Sequence, residues 1–370
     1  MKLILKIQLV FLVCAIQSIP AKELNDSSIS LSAKRLGDII QRQEIFFKSA
    51  QGNAIINEIE LTRKAQQLVS SYEAYISENP KDIHALILFG KFLRRVGQQK
   101  HALNYFLEAD ALNPKIAVVK QQLGNYLIEN GYAVDAFPFL VLATSIDPKQ
   151  ATYHYDLGNY LSHFTKELLS EKILTKEGHR QLTQESFKKA YKLDSDNFDY
   201  ALRYGQSFFD FPDISRSTAL KTWENIHKQF NNRSASEIDY LKLCKARILI
   251  ELGQLKKARA LIESVSTKSL KEAKETLLGQ ANGTIFTIPK QAEDSTINTK
   301  EKNTERKKGA YMNITTDPHL IRLKQVTERL NEERMLGEFK IDAIRAKVDQ
   351  LGKIKMEFSE ASTLPNSNKD

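Results

Sequence analysis

The sequence predicts an all-α fold, a solenoid of antiparallel helix pairs stacked side by side. Three observations carry that prediction. Pro80, Pro114 and Pro148 recur every 34 residues, and Gly90, Gly124 and Gly158 keep the same interval. So do Gly97 and Gly131, Ala102 and Ala136, and Ala109 and Ala143. A fixed period of this size marks a stacked repeat. Within each period the apolar residues fall at offsets of three and four, which line one side of an α-helix. Glycine and proline are also sparse, 15 and 9 among 370 residues, and 27% of residues are charged. That balance suits helices better than sheets.

In the first clear unit Leu86, Phe89, Gly90 and Leu93 form one stripe, and Ala102, Leu103, Phe106, Ala109 and Leu112 form the second. Gly97 and Gly131 sit between the two helices, where a positive φ lets the chain turn. The mid-helix glycines cost roughly 1 kcal/mol each against alanine. Their fixed spacing implies close helix–helix approach, with Ala102 and Ala136 as the expected small partners. Asn79-Pro80, Asn113-Pro114 and Asp147-Pro148 end each second helix, because proline cannot continue it and restrains the residue before it.

This pattern resembles the tetratricopeptide repeat (TPR). The matching residues are Leu86, Phe89, Gly90, Leu93, Gly97, Ala102, Phe106, Ala109 and Pro114, then Leu123, Gly124, Leu127, Gly131, Ala136, Leu140, Ala143 and Pro148. Lys120 departs from it, standing where the family usually has an apolar residue. The resemblance implies a right-handed superhelix, a groove lined by the first helix of each pair, and a protein or peptide ligand.

Residues 1–21 have the layout of a secretory signal peptide: Lys2 and Lys6, an apolar run from Leu9 to Ile16, then Ser18-Ile-Pro-Ala21. Cleavage near Ala21 and export, to a bacterial periplasm, is the expectation. The alternative is an uncleaved segment that holds the chain at a membrane. Removing Lys2 and Lys6 takes the formal charge from +9 to +7 and leaves Cys244 as the sole cysteine, so no internal disulfide can form. Cys244 lies in an apolar stretch and reads as a buried thiol. A basic balance can signal nucleic acid, but export argues against that, and acidic protein faces or anionic envelope polymers fit better.

Residues 22–79 read as a polar start and a degenerate repeat or helical cap. Ser32 is the expected cap of a helix carrying Leu36, Ile39, Ile40 and Phe47, and Leu68, Tyr72 and Tyr75 stand where a second helix of the repeat would place them. The array spans 80–279, with units at 83–116, 117–150, 151–197, 198–232 and 239–279. The third carries an insertion of about 13 residues, counted against the repeat register. It is expected to lengthen both helices, with a turn near Thr175 as cap. In the fourth, Gly205 and Trp223 belong to the core pattern; in the fifth, Ala246 replaces the mid-helix glycine. Residues 280–316 are polar and read as a linker. Asp317-Pro318 opens a helix expected to run over 317–360, with Leu323, Leu330, Gly337, Ile344, Leu351 and Phe358 at sevens. Such a helix either pairs with a second copy, the favoured expectation, or docks on the array. Residues 361–370 read as a disordered tail.

No catalytic or metal-binding constellation stands out. HExxH, paired CxxC and phosphate-loop motifs are absent, and His154 and His163 are nine apart, which is not a bidentate spacing. The Glu171/Glu177 and Glu332/Glu333 carboxylates read as solvated helix faces. No cofactor is expected and the chain does not read as an enzyme. By the TPR resemblance, the groove-facing positions are His84, Ile87, Lys91 and Arg94, then Gln121, Asn125, Tyr155 and Asn159. The asparagines would hydrogen-bond an extended backbone, and Lys91 and Arg94 would meet ligand carboxylates. The sequence thus reads as a non-catalytic scaffold that binds protein or peptide.

Overall fold

The computed structural model describes residues 30–51, 58–283 and 317–335, together with short strands at 340–341, 344–348 and 354–357. The chain divides between Ala85 and Leu86 into two compact units. The expected signal peptide, most of the linker and the tail lie outside the described residues.

The first unit contains α1 (Leu31–Gln51) and α2 (Glu58–Glu78). Leu36, Ile39 and Phe46 of α1 and Leu68, Tyr72 and Tyr75 of α2 are buried. The Tyr72 hydroxyl donates to Gln43 Oε1 at 2.8 Å, and that of Tyr75 donates to Asp82 at 2.8 Å. Ser30, rather than Ser32, caps α1, its Oγ accepting from the Ala33 N–H at 3.1 Å. The cap falls two residues earlier because α1 already begins at Leu31.

Helix α3 (Ile83–Arg95) runs across the boundary and pairs with α4 (Gln99–Leu112). Then follow α5 (Ala117–Glu129) with α6 (Ala133–Ile146), and α7 (Ala151–His163), α8 (Thr165–Ser170) and α9 (Lys176–Leu193). Next come α10 (Phe198–Asp210) with α11 (Arg216–Gln229), α12 (Ala235–Glu251) with α13 (Leu255–Glu263), and α14 (Lys271–Ala281). The array is an all-α solenoid of helix pairs. Gly97 and Gly131 turn the chain between helices at φ of +84° and +86°, as their spacing predicts.

The mid-helix glycines are sockets, and their plugs are larger than expected. A Cβ on Gly90 would lie 2.8 Å from Phe106, on Gly124 3.1 Å from Leu140, on Gly158 2.6 Å from Phe187 and on Gly205 2.7 Å from Trp223. The small partners expected at Ala102 and Ala136 are buried, but the side chain filling each socket comes one turn later. In the last pair the plug is Ile262, and Ala246 fits where the others need glycine; both are fully buried.

The insertion leaves α7 at 13 residues, equal to α3 and α5, so only the second helix is lengthened, to 18 residues in α9. The remaining residues form the separate α8. Thr175 caps α9, accepting from the Gly178 N–H at 3.0 Å. Leu168 and Leu174 are buried, so the insertion packs into the array. Lys120, the odd residue of the repeat, is 2% exposed and donates to Asp110 at 2.7 Å across the α4–α5 junction. Asp239 anchors the last turn of the array. It accepts from Lys242, from the Ser266 and Thr267 N–H groups and from the Thr267 hydroxyl. Burial opposes its charge, but these donors outweigh it and hold the carboxyl well below the usual range.

The C-terminal segment differs from the single helix expected over 317–360. Helix α15 spans Pro318–Met335, opened by Asp317, whose carboxylate accepts from the His319 N–H at 2.9 Å. It lies against α4 and α6. Leu323, Thr327 and Leu330 are buried, and the Arg322 guanidinium donates to the Leu107 carbonyl at 3.2 Å. Docking on the array, the second alternative, is therefore the observed arrangement: Leu323 and Leu330 bury their side chains within the chain. Beyond Met335 come three antiparallel strands, β1 (Lys340–Ile341), β2 (Ile344–Val348) and β3 (Ile354–Glu357), with Ile341 opposite Ile344 and Val348 opposite Ile354. Gly337 weakens a helix there, and the β-branched Ile341, Ile344, Val348 and Ile354 favour strands.

Candidate peptide-binding face

The first helices of successive pairs, α3, α5, α7, α10 and α12, are stitched side by side by polar side chains. Arg94 of α3 donates to Gln122 Oε1 of α5 at 2.7 Å and is paired with Glu129. Gln121 of α5 donates to the Asp156 carboxylate of α7. The Thr152 hydroxyl of α7 lies 3.3 Å from that of Tyr200 on α10, and Arg203 of α10 donates back to the Ser162 hydroxyl at 2.8 Å. Gln206 of α10 donates to the Tyr240 hydroxyl of α12 at 3.0 Å. Every junction along the face carries at least one such bond.

The predicted residues distribute along this seam. Ile87, Lys91 and Arg94 recur at four and three, so they share one side of α3. Lys91 is exposed and Ile87 half-buried. The Arg94 guanidinium, expected to meet a ligand, is occupied by Glu129 and Gln122 of its own chain. Gln121 is buried and engaged with Asp156. Asn125 lies one turn beyond Gln121, and Asn159 one turn beyond Tyr155. Both asparagines are half-buried, and neither side-chain amide has a hydrogen-bond partner among the described residues. Tyr155 is half-buried, its ring 6.2 Å from Phe187 and 4.6 Å from Tyr200. His84 opens α3 in the first unit, exposed, with Nδ1 3.8 Å from Asp82.

Sequence reasoning missed Gln122, Asp156, Arg203 and Gln206. Gln206 follows Gly205 as Asn125 follows Gly124 and Asn159 follows Gly158, so the repeat register itself marks it. Asp156 had no such signal. Burial pushes its carboxyl up to about 6, against the lowering effects of the Gln121 hydrogen bond and the Arg94 charge.

Elsewhere the titratable groups are structural. Burial pushes the Cys244 thiol up to about 12, so it is not a nucleophile at neutral pH. His154 and His179 are buried, each with Nε2 against a backbone carbonyl, Pro148 at 3.0 Å and Leu161 at 2.8 Å. Among the described residues no group of three His, Cys, Asp or Glu side chains is placed to hold a metal, and no helix is long and apolar enough to cross a membrane.

No protein-family model matches the chain, and no curated protein matches it in sequence. Some solved structures align with part of the chain. YrrB, described as a TPR protein with an unusual peptide-binding site, is 16% identical and aligns over 58% of this chain and 99% of its own, with a TM-score of 0.44. PilF of Pseudomonas aeruginosa is 14% identical over 68% of this chain and 99% of its own, with a TM-score of 0.42. MamA of Desulfovibrio magneticus is 16% identical over 52% and 97%, with a TM-score of 0.37. The all-α solenoid architecture rests on this chain's own helix pairs and their 34-residue period.

Proposed function

We propose that the chain is a non-catalytic scaffold that binds an extended segment of another protein along the first-helix face. The observation that carries this reading is the pair Asn125 and Asn159. These open amides lie one repeat apart, on a face where Arg94, Gln122, Gln121 and Asp156 are bonded across neighbouring helices. An amide offers both a donor and an acceptor, which suits a peptide backbone running past it. We further propose that the chain is exported and works in an envelope complex, on the layout of residues 1–21. An assembly factor held at the membrane by those residues is the second reading, and N-terminal sequencing of the expressed protein separates the two.

The test of binding is selection from a display library of unstructured peptides against the full chain. Wild type should enrich a family of related sequences, and Asn125→Ala/Asn159→Ala should enrich none of them. Equal enrichment by both proteins would remove the face from consideration.

A further inference from the structure

The arginines along this face are held by acidic neighbours of the same chain, Lys91 stays exposed on α3, and one carboxylate on α7 is left open. Arg94 is held by Glu129 and Gln122, Arg203 by Asp210 at 3.0 Å, and Arg247 faces Glu251 at 3.5 Å. Asp156 is different. Gln121 donates to one of its carboxylate oxygens, Oδ2, and Oδ1 has no partner among the described residues. Arg94 reaches it only through its field.

Two tyrosines lie near this carboxylate, and the Tyr200 phenol is close enough to feel its charge. Tyr155 is the adjacent residue on α7. Tyr200 rises from α10 with its hydroxyl near Thr152, one turn before Asp156, and its ring 4.6 Å from that of Tyr155 at 39°. Phe187 backs Tyr155 edge-on. Asn159 is one turn further along the same helix. A carboxylate beside aromatic faces is the arrangement that holds a cationic side chain, because the ring quadrupole and the anion attract it together.

We infer that Asp156, Tyr155 and Tyr200 form a subsite for a lysine or arginine side chain of the bound peptide, with Asn159 on the neighbouring backbone. The ligand of this face then carries a basic residue at the position that meets Asp156. This rests on the peptide-binding reading above and names the chemistry of its ligand.

The same display selection tests it with three further proteins. Wild type should enrich lysine or arginine at one peptide position. Asp156→Asn, which keeps the shape and can still accept from Gln121, should lower that preference about tenfold, the loss expected for one charge-assisted hydrogen bond. Tyr200→Ala should lower it as well, whereas Tyr200→Phe, which keeps the ring, should not. Circular dichroism of each variant confirms the helical array. Enrichment with no basic position, or a basic preference that Asp156→Asn leaves intact, overturns the subsite alone. No enrichment by wild type removes the peptide-binding reading and the subsite with it.

Discussion

At Gly158 and Gly205 an added methyl group would meet the Phe187 and Trp223 rings at 2.6 and 2.7 Å. Either Gly→Ala change should therefore destabilise the array by about 1–3 kcal/mol, the usual range for overpacking, read from the urea midpoint. Gly37→Ala on α1, exposed and with nothing within 4 Å, should instead gain about 0.5–1 kcal/mol. The Asp110–Lys120 pair offers a sharper contrast. Asp110→Ala strands a buried ammonium and should cost about 3–5 kcal/mol, while Asp110→Leu/Lys120→Met should recover most of that loss. Asp156 works in the opposite sense. Its carboxyl titrates near 6 in the fold, above its ordinary 3.8, so the folded state holds the proton more tightly and charge at neutral pH opposes folding. Asp156→Asn should thus be more stable than wild type at pH 7 and lose the gain in stability that wild type shows as pH falls through 6. The sequence marked every socket but not what fills it. A repeat register shows which positions must be small, and Phe106 and Ala102 lie on the same stripe. Lys120 was visible as an exception, yet nothing in the local pattern pointed ten residues back to Asp110.

Helix α15 shows what periodicity can and cannot say. Leu323 and Leu330, seven apart, are both buried, as an amphipathic stripe requires. The stripe carries no record of which surface it meets, and the outer helices α4 and α6 turned out to supply it. Nor did the sevens reveal that the helix ends at Met335. Gly337, Ile344 and Leu351 kept the count, while the alternation of Ile344, Ala346 and Val348 with Arg345 and Lys347 carried the period of two that a strand needs. Leu323→Asp/Leu330→Asp should release α15, seen as faster amide exchange over 318–330 with little change in the helical pairs of the array. Since α15 buries its stripe within the chain, light scattering should give the full chain and a version lacking 318–360 the same number of copies per particle. A larger particle only for the full chain would show that the segment also joins copies.

Across the whole molecule, stability should depend on pH through the buried His154 and His179 and the half-buried His227. Burial holds His154, His179 and His227 below the ordinary 6.5, despite the carbonyls that His154 and His179 face. The unfolded chain therefore takes up protons first as pH drops. Stability from these groups is complete above about 6.5 and declines as pH falls below it. His154→Gln and His179→Gln should flatten that decline in urea melts between pH 7 and 5. Asp239 acts lower down: its contribution is present above the ordinary carboxyl range and is lost only in strong acid. The repeat period made the helix pairs legible across the array, along with the side that the first helices share. The distribution of charge on that side was not legible, because Glu129 and Asp156 belong to other pairs than the Arg94 they influence. The stitched first helices have one more effect. Since Arg94 is bonded to Gln122 and Gln121 to Asp156, neighbouring turns of the spiral are braced against sliding, and Asn125 and Asn159 stand like the fixed jaws of a calliper. A guest would be gauged by the distance between its two gripping points, so one residue inserted between them should undo its fit even when every side chain is kept.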